Sequence, residues 1–251
     1  MKISGNTILI TGGTSGIGRA LAEAFHARGN HIIITGRRQA LLDDITGDNP
    51  GMAGFRLDLR DDAMLADVAA EVRSRFPALN VLIANAGVSR SEKLIEDGWN
   101  ADVAEEIVNT NVLGIIRTTA AFLPLIKGRS DATFMATGSA LAFVPRADFP
   151  TYCASKAFLH SWLISLRHQL RHIPLEVLEL SPPYVQTELT GIAQAADPRA
   201  MPLPEYIARV MALIEGHQHL NGEILLDGDK ARRWAEKEGT FSALFHAMNP
   251  D

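Results

Sequence analysis

The sequence has almost no cysteine, no long apolar run and no excess of basic residues. Cys153 is the only cysteine, so no internal disulfide can form and the cytoplasm is the expected compartment. No apolar stretch approaches the roughly 18 residues that a membrane-spanning helix needs, and the N-terminus does not read as a secretory signal. The 24 Lys and Arg against 29 Asp and Glu give a net charge of −5, which argues against a nucleic-acid or anionic-membrane partner.

What the 251 residues do contain is a regular alternation of two hydrophobic patterns. Short β-branched apolar runs alternate with longer segments whose apolar residues recur at helical spacing. This alternation predicts an α/β fold, a doubly wound parallel sheet of about seven strands with helices on both faces. No linker or repeat divides the chain, so residues 1–251 are expected to form a single domain. The predicted strands are TILI, HIIIT, FRLDL, NVLIAN, ATFMAT, LEVLEL and EILLD.

A glycine-rich turn joins the first predicted strand to the first predicted helix in TILITGGTSGIGRALAEAF. Gly12, Gly16 and Gly18 have the spacing G-x-x-x-G-x-G, which allows backbone N–H groups at a helix start to approach a pyrophosphate. Arg19 and Ala20 follow the last glycine, whereas a kinase-type phosphate loop requires Lys and then Ser or Thr. A tight strand-to-helix turn without a ligand also fits the glycines, so the interpretation depends on the other motifs.

The second predicted strand ends in two arginines, where a dinucleotide site that prefers NAD(H) carries an acid. Arg37 and Arg38 suit a 2′-phosphate because a guanidinium is planar and permanently charged. We therefore predict NADP(H) over NAD(H), with a solvated surface pair as the simpler alternative. Asp58, expected to end the third strand, either accepts a hydrogen bond from the adenine amino group or caps the next helix, and the sequence supports both equally.

A tyrosine and a lysine lie one helical turn apart in YCASK. Tyr152 and Lys156 share a helix face at this spacing, and the ammonium is expected to lower the tyrosine pKa toward neutrality, as general acid–base chemistry favours. Ser139 is a candidate donor to the same reacting oxygen. Asn111 has a low helix propensity inside a long helical pattern over residues 102–127. We expect it to open that helix locally and to hold a water that leads to Lys156.

Together these motifs resemble the short-chain dehydrogenase/reductase family over nearly the whole chain. TGGTSGIG is similar to the family's cofactor turn, NAG (85–87) to its strand-four motif and PPYVQT (182–187) to its nicotinamide-proximal segment. Asn111, Ser139, Tyr152 and Lys156 match its catalytic tetrad in order and spacing. The resemblance implies one Rossmann-like domain that binds NAD(P)(H), and it implies no metal site.

The resemblance also implies a role for each residue. Tyr152 would be the acid/base, and Lys156 would bind the nicotinamide ribose and lower the tyrosine pKa. Ser139 would orient the substrate oxygen, and Asn111 the proton-relay water. The implied cofactor-binding residues are Gly12, Thr14, Ser15, Gly16, Ile17, Gly18, Arg37, Arg38, Asp58, Leu59, Asn85, Ala86, Gly87, Tyr152, Lys156, Pro182, Val185 and Thr187, with the Val185 backbone and Thr187 holding the carboxamide.

The chain departs from the family pattern at two places. Pro182–Pro183 replaces the usual Pro-Gly, which stiffens the segment and removes an N–H near the nicotinamide. The chain also continues from about residue 229, either as a surface helix or as an element that covers the site or a partner subunit. A narrower resemblance, carried by LAFVP, SPPYVQTELTG and the stretch after YCASK, is to bacterial oxidoreductases encoded beside lipoteichoic-acid D-alanylation genes. This narrower resemblance does not identify a substrate.

The expected substrate side is apolar and aromatic, with Leu141, Phe149 and Tyr184 as candidate lining residues. We therefore expect reduction of a ketone or aldehyde with a hydrophobic or aromatic body, although Arg146 leaves an acidic group open. An alcohol dehydrogenase working oxidatively is the close alternative, and a non-catalytic cofactor-binding sensor is the third. The family likeness further suggests a homo-dimer or homo-tetramer joined through the helices near residues 102–127 and 152–172.

Overall fold

The computed structural model describes residues 1–250. Its strands are β1 Thr7–Thr11, β2 His31–Gly36, β3 Ala53–Arg56, β4 Val81–Ala84, β5 Ala132–Thr137, β6 Leu175–Leu180 and β7 Glu223–Ile224. Its α-helices are α1 Gly16–His26, α2 Gln39–Asp48, α3 Asp62–Arg75, α4 Asp102–Ile107, α5 Gly114–Ile126, α6 Pro150–Gln169, α7 Ile192–Ala195, α8 Leu203–Glu215, α9 Lys230–Arg233 and α10 Phe241–Met248. A π-helix, Val108–Leu113, joins α4 to α5, and short 3₁₀ turns cover Ala140–Ala142 and Asp227–Asp229.

All seven strands form one parallel sheet in the order β3-β2-β1-β4-β5-β6-β7, so the predicted fold class is confirmed. The order reverses direction between β1 and β4, and ligands of such sheets bind beyond the carboxyl ends of the strands at this point. The strands are apolar throughout because helices cover both faces. In β1, Ile8 and Ile10 pack with α1 and α8, whereas Leu9 packs with α3, α5 and α6 on the other face.

Three predicted elements differ in extent from the sequence patterns. The third strand ends at Arg56. Leu57 N makes the last bond to β2, at Gly36 O, and the chain then turns, so Asp58 lies beyond the strand. The last strand is only Glu223–Ile224, since the chain enters a 3₁₀ turn soon afterwards. The long helix predicted over residues 102–127 is interrupted by the π-helix, which contains Asn111. Local opening of the helix at that asparagine was therefore predicted correctly.

The chain after β7 folds back as α9 and α10. Phe241, Leu244, Phe245 and Met248 repeat at helical spacing in α10 and are the partly buried side of that helix, so this segment packs as an amphipathic element. Within residues 1–250, none of the helices combines the length and the apolar character that crossing a bilayer requires.

Candidate active site

The glycine-rich turn between β1 and α1 is closely packed against the ends of neighbouring strands. Gly12 and Gly16 have positive φ angles of 67° and 53°, which side-chain-bearing residues rarely adopt. A Cβ atom on Gly18 would lie 2.4 Å from the carbonyl oxygen of Gly12 and 2.3 Å from Nδ2 of Asn85. These positions therefore need glycine for the turn to bring the start of α1 against the sheet edge, the arrangement in which N–H groups of a helix start bind phosphate.

A cleft of about 440 Å³ opens beyond the carboxyl ends of the strands. It extends from the glycine turn to Tyr152, as expected for the crevice at the reversal of strand order. Gly18 and Asn111 lie behind the cleft wall rather than on its surface. The predicted site residues on its surface are Gly12, Thr14, Ser15, Gly16, Ile17, Arg37, Arg38, Asp58, Leu59, Asn85, Ala86, Gly87, Ser139, Tyr152, Lys156, Pro182, Val185 and Thr187.

One end of the cleft is bordered by charged residues from the β2 and β3 connections. Arg37 and Arg38 are exposed and have no carboxylate partner among residues 1–250. Asp58 accepts hydrogen bonds from the Arg60 guanidinium at 2.7 and 3.0 Å, which lowers the pKa of its carboxyl to about 2. The alternative that Asp58 caps the next helix is wrong, because Asp61 is the N-cap of α3 and accepts from Met64 N at 2.9 Å.

The Asn85–Gly87 motif ties the ends of three strands together. The hydroxyl of Thr11 accepts from the backbone N–H groups of Asn85 and Ala86 at 3.0 and 3.2 Å. The Asn85 side chain donates to the Thr11 carbonyl at 3.2 Å and accepts from the Thr137 hydroxyl at 3.1 Å. These bonds fix the ends of β1, β4 and β5, and with them the middle of the cleft.

Tyr152 and Lys156 are buried side by side on α6 at the floor of the cleft. Lys156 Nζ donates to the Thr137 carbonyl at 2.7 Å and lies 5.7 Å from the centroid of the Tyr152 ring. Burial raises the pKa of Tyr152 to about 12, and its hydrogen bond to Ser139 opposes this only in part. The expected lowering of this pKa by the lysine is therefore wrong, because loss of solvation of the phenolate dominates.

The pKa of Lys156 is shifted in the opposite direction. Burial lowers the pKa of Lys156 to about 8, and the negative charge of Glu179 counteracts that shift. Glu179, near the carboxyl end of β6, is fully buried, and its carboxylate lies 2.7 Å from Nδ1 of His160. No sequence motif had pointed to Glu179. Two acids within the apolar run LEVLEL, Glu176 and Glu179, were the available signal, because a buried carboxylate requires a partner.

Asn111 holds the backbone beside the cleft. Its Oδ1 accepts from Val88 N at 2.9 Å, and its Nδ2 donates to Val88 O at 2.9 Å and to the Ser155 hydroxyl at 3.1 Å. The side-chain amide thus links the π-helix to the strand-four motif and to α6. These protein partners engage the amide groups, so the water relay assigned to this residue stays a prediction.

The segment after β6 forms the wall opposite the glycine turn. Pro182 accepts from Ala140 N at 2.9 Å, which joins this segment to the residue that follows Ser139. Gln194 is buried and donates to the Val185 carbonyl at 2.7 Å and to the Thr187 hydroxyl at 3.2 Å. A carboxamide contact by the Val185 backbone would therefore use its N–H. Nothing in the sequence singles out Gln194, since its role arises only when the loop folds back.

The three predicted substrate residues are not on the surface of the cleft. Leu141 and Phe149 pack around Tyr152 in a small apolar cluster and so shape the wall from behind. Tyr184 is 43% exposed, and its hydroxyl donates to Asp197 at 3.1 Å. Further residues that line the cleft include Val88, Arg90, Thr110, Pro183, Glu188, Leu189 and Gln194.

Charge on the substrate side comes from a different arginine than the one singled out in the sequence. Arg146 forms a two-pronged pair with Asp148 at 2.8 and 2.7 Å, so its charge is matched within its own loop. Arg90 lines the cleft, and its guanidinium donates to the Ser89 carbonyl at 3.0 Å.

Comparison with known proteins agrees with this geometry. The family model of the short chain dehydrogenases matches residues 6–197. The chain is 34% identical over 260 residues to the uncharacterized oxidoreductase DltE of Bacillus subtilis (strain 168), covering 99% of this chain and 98% of that protein. It is 30% identical over 196 residues to the NADP-dependent 3-hydroxy acid dehydrogenase YdfG of Shigella flexneri, covering 76% of this chain and 77% of that protein.

A solved structure shares the fold over the full length. A short-chain dehydrogenase from Burkholderia cenocepacia J2315, in complex with NADP, has a TM-score of 0.82 at 22% identity and covers 100% of both chains. The similarity to DltE over nearly the whole chain is also what the narrower resemblance predicted. The chain therefore belongs to the short-chain dehydrogenase/reductase family and is an NAD(P)-dependent oxidoreductase.

Proposed function

We propose that the protein uses NADPH to reduce a ketone or aldehyde to an alcohol. The observation that carries this proposal is the geometry of Tyr152, which lines the cleft beside Lys156 and is hydrogen-bonded to Ser139. A protonated phenol is the form that donates a proton to a carbonyl oxygen as negative charge develops on it.

The residues of the cleft fit a dinucleotide. The glycine turn offers backbone N–H groups to a pyrophosphate, and the substitution-intolerant Gly18 shows how closely this turn packs. When bound, the reduced nicotinamide supplies the hydride. Tyr152 then donates its proton to the substrate oxygen, and Ser139 orients that oxygen through a hydrogen bond. Lys156, held by the Thr137 carbonyl, presents its ammonium to the ribose and to the developing phenolate.

The preference for NADPH rests on the two arginines at the end of β2. We expect Arg37→Ala to weaken NADPH binding about 10- to 100-fold, because a charge-assisted hydrogen bond to the 2′-phosphate contributes about 1.5–3 kcal/mol. NADH binding should change little, since NADH lacks that phosphate. Fluorescence titration with both nucleotides measures the difference. Arg28→Ala removes an equally exposed arginine outside the cleft and is the matched control; equal loss of both nucleotides in Arg37→Ala contradicts the assignment.

The substrate class follows from the lining near Tyr152. Val88, Pro183 and Leu189 are apolar, with Leu141 and Phe149 packed behind, which supports a hydrophobic or aromatic body. Arg90 favours a second candidate class, carbonyl compounds with an acidic group, because it is a cation that lines the cleft.

A matched pair of substrates separates these two classes. We expect benzaldehyde to be reduced with a higher kcat/KM than 4-carboxybenzaldehyde, measured as loss of NADPH absorbance. A reversed preference that disappears in Arg90→Ala would favour the acidic class. Reduction of neither compound, together with oxidation of the corresponding alcohols by NADP⁺, would favour an alcohol dehydrogenase. NADPH binding without turnover of any carbonyl or alcohol would favour a cofactor-binding sensor.

The homo-dimer or homo-tetramer and the cytoplasmic location stay proposals. Four apolar side chains are exposed on the helices through which copies of the chain would associate, which supports an oligomer. They are Val108 and Leu113 in the π-helix and Phe158 and Ile164 in α6.

A further inference from the structure

The chain after β7 contacts the segment that connects the catalytic serine to the catalytic tyrosine. We propose that this C-terminal segment, residues 230–250, positions the substrate-side loop over residues 143–149, and that Asn249 is its principal positioning residue. The inference rests on the proposed carbonyl reduction for its kinetic consequence. It decides between the two interpretations of the chain beyond residue 229, a surface helix or an element that acts on the site.

The first contact is made by the side-chain amide of Asn249, just after α10. Its Oδ1 accepts from the backbone N–H of Ala147 at 2.6 Å, and its Nδ2 donates to the carbonyl of Pro145 at 3.1 Å. Nδ2 also donates to Phe245 O at 2.8 Å, which fixes the amide to the end of its own helix. One side chain thus bonds to both a donor and an acceptor of the loop backbone, as a neighbouring strand would.

The second contact is made by Arg233 in α9. Its guanidinium forms a two-pronged pair with Glu223 at 2.6 and 2.8 Å, and it lies 5.0 Å from the centroid of the Phe143 ring. It also lies 4.3 Å from the Trp234 ring. Phe143 in turn meets the His160 ring edge-on at 5.1 Å. Arg233 therefore links the last strand to the start of the loop through a cation–π contact.

The catalytic tyrosine has a separate anchor. The buried carboxylate of Glu92 accepts from Thr151 N and from the Thr151 hydroxyl, both at 3.0 Å, at the start of α6. The loop has further backbone ties: Glu92 N donates to Asp148 O at 3.0 Å, Cys153 N donates to Phe149 O at 3.0 Å, and Phe143 N donates to Ala140 O at 3.3 Å. Loosening the loop at Ala147 therefore leaves Tyr152 in place but loosens Phe149, the end of the loop that packs against it. The expected kinetic effect is on substrate binding.

Asn249→Ala tests the proposal. We expect KM for the reduced carbonyl compound to rise about five- to tenfold, matching the loss of about 1 kcal/mol from two neutral hydrogen bonds to an exposed loop. We expect kcat and NADPH affinity to stay within about twofold, since Tyr152 and the cleft are anchored elsewhere. Asn249→Asp keeps the bond from Ala147 N but cannot donate to Pro145 O. Its KM should therefore lie between that of the parent chain and that of Asn249→Ala. Ser242→Ala, an exposed position on α10, is the control.

Amide hydrogen exchange in peptides that cover residues 143–149 gives a second readout that needs no turnover. The proposal requires faster exchange there in Asn249→Ala than in Ser242→Ala, with unchanged exchange at residues 150–156. Faster exchange in an enzyme that reduces no carbonyl would reject the proposed reduction while supporting the positioning role. An unchanged KM with unchanged exchange would overturn the inference, and so would equal changes in both variants.

Discussion

Tyr152→Phe will reduce carbonyl turnover by about 10²- to 10⁴-fold, the range that a positioned general acid contributes. The ring of Tyr152 packs with Ile107 and Cys153 in an apolar cluster, and phenylalanine preserves that packing. The hydroxyl is the only group lost, so NADPH should still bind with nearly unchanged affinity. Single-turnover kinetics and fluorescence titration on the same preparation measure the two quantities separately.

A second buried tyrosine supplies the matched control for that variant. Tyr206, on α8, is 1% exposed, and its hydroxyl has no hydrogen-bond partner among residues 1–250. Tyr206→Phe removes the same atom from a buried site on the opposite face of the sheet, with no expected loss of activity. It should leave stability unchanged or raise it, because an unpaired buried hydroxyl is unfavourable. Unchanged turnover in Tyr152→Phe would reject the assigned acid, whatever Tyr206→Phe does.

Burial also shifts the pKa values of both side chains at the floor of the cleft. Burial raises the pKa of Tyr152 to about 12 and lowers the pKa of Lys156 to about 8. Fully buried Glu179 counteracts the lowering of the lysine pKa and pairs with His160 behind the site. The pKa of Lys156 at the floor of the cleft therefore depends in part on a carboxylate that does not line the cleft.

Local patterns predicted the parts of the site that lie close together in sequence. The spacing of the glycines indicated the turn at the start of α1, and the low helix propensity of Asn111 indicated an opening where the π-helix occurs. The apolar runs predicted the strands and the sheet because each run is buried on two faces. The helical spacing of Tyr152 and Lys156 predicted their adjacency but not the tyrosine pKa, since spacing does not reveal burial.

The parts that the sequence did not reveal depend on contacts between distant segments. Glu92 reaches Thr151, Gln194 folds back on Val185, and Asn249 bonds to Ala147, each across a separation that no local pattern encodes. Tyr184 was expected to line the substrate side because it is aromatic and lies in the nicotinamide-proximal segment. Its hydroxyl instead donates to Asp197, and the side chain lies at the protein surface. The sequence did not distinguish an adenine contact from a helix cap as the role of Asp58, and the structure shows that the nearby Asp61 is the cap of α3.

Gly18→Ala will have the largest effect on the cofactor end of the cleft. The new methyl group would lie 2.4 Å from the Gly12 carbonyl oxygen and 2.3 Å from Nδ2 of Asn85, so α1 has to move away from the turn. We expect a loss of about 1–3 kcal/mol in the free energy of unfolding, the usual cost of overpacking. NADPH affinity should fall more than tenfold, because displaced N–H groups each forfeit a charge-assisted bond of about 1.5–3 kcal/mol to phosphate.

Gly47→Ala is the matched control, because its added methyl group meets no atom within 4 Å and Gly47 lies inside α2. That variant should be more stable than the parent by about 0.5–1 kcal/mol, since alanine favours helix over glycine, and its NADPH affinity should not change. Urea unfolding and nucleotide titration of both variants measure the contrast. If Gly18→Ala bound NADPH as tightly as Gly47→Ala does, close packing of the turn would not control the phosphate site. The glycine spacing would then be explained by the strand-to-helix connection alone.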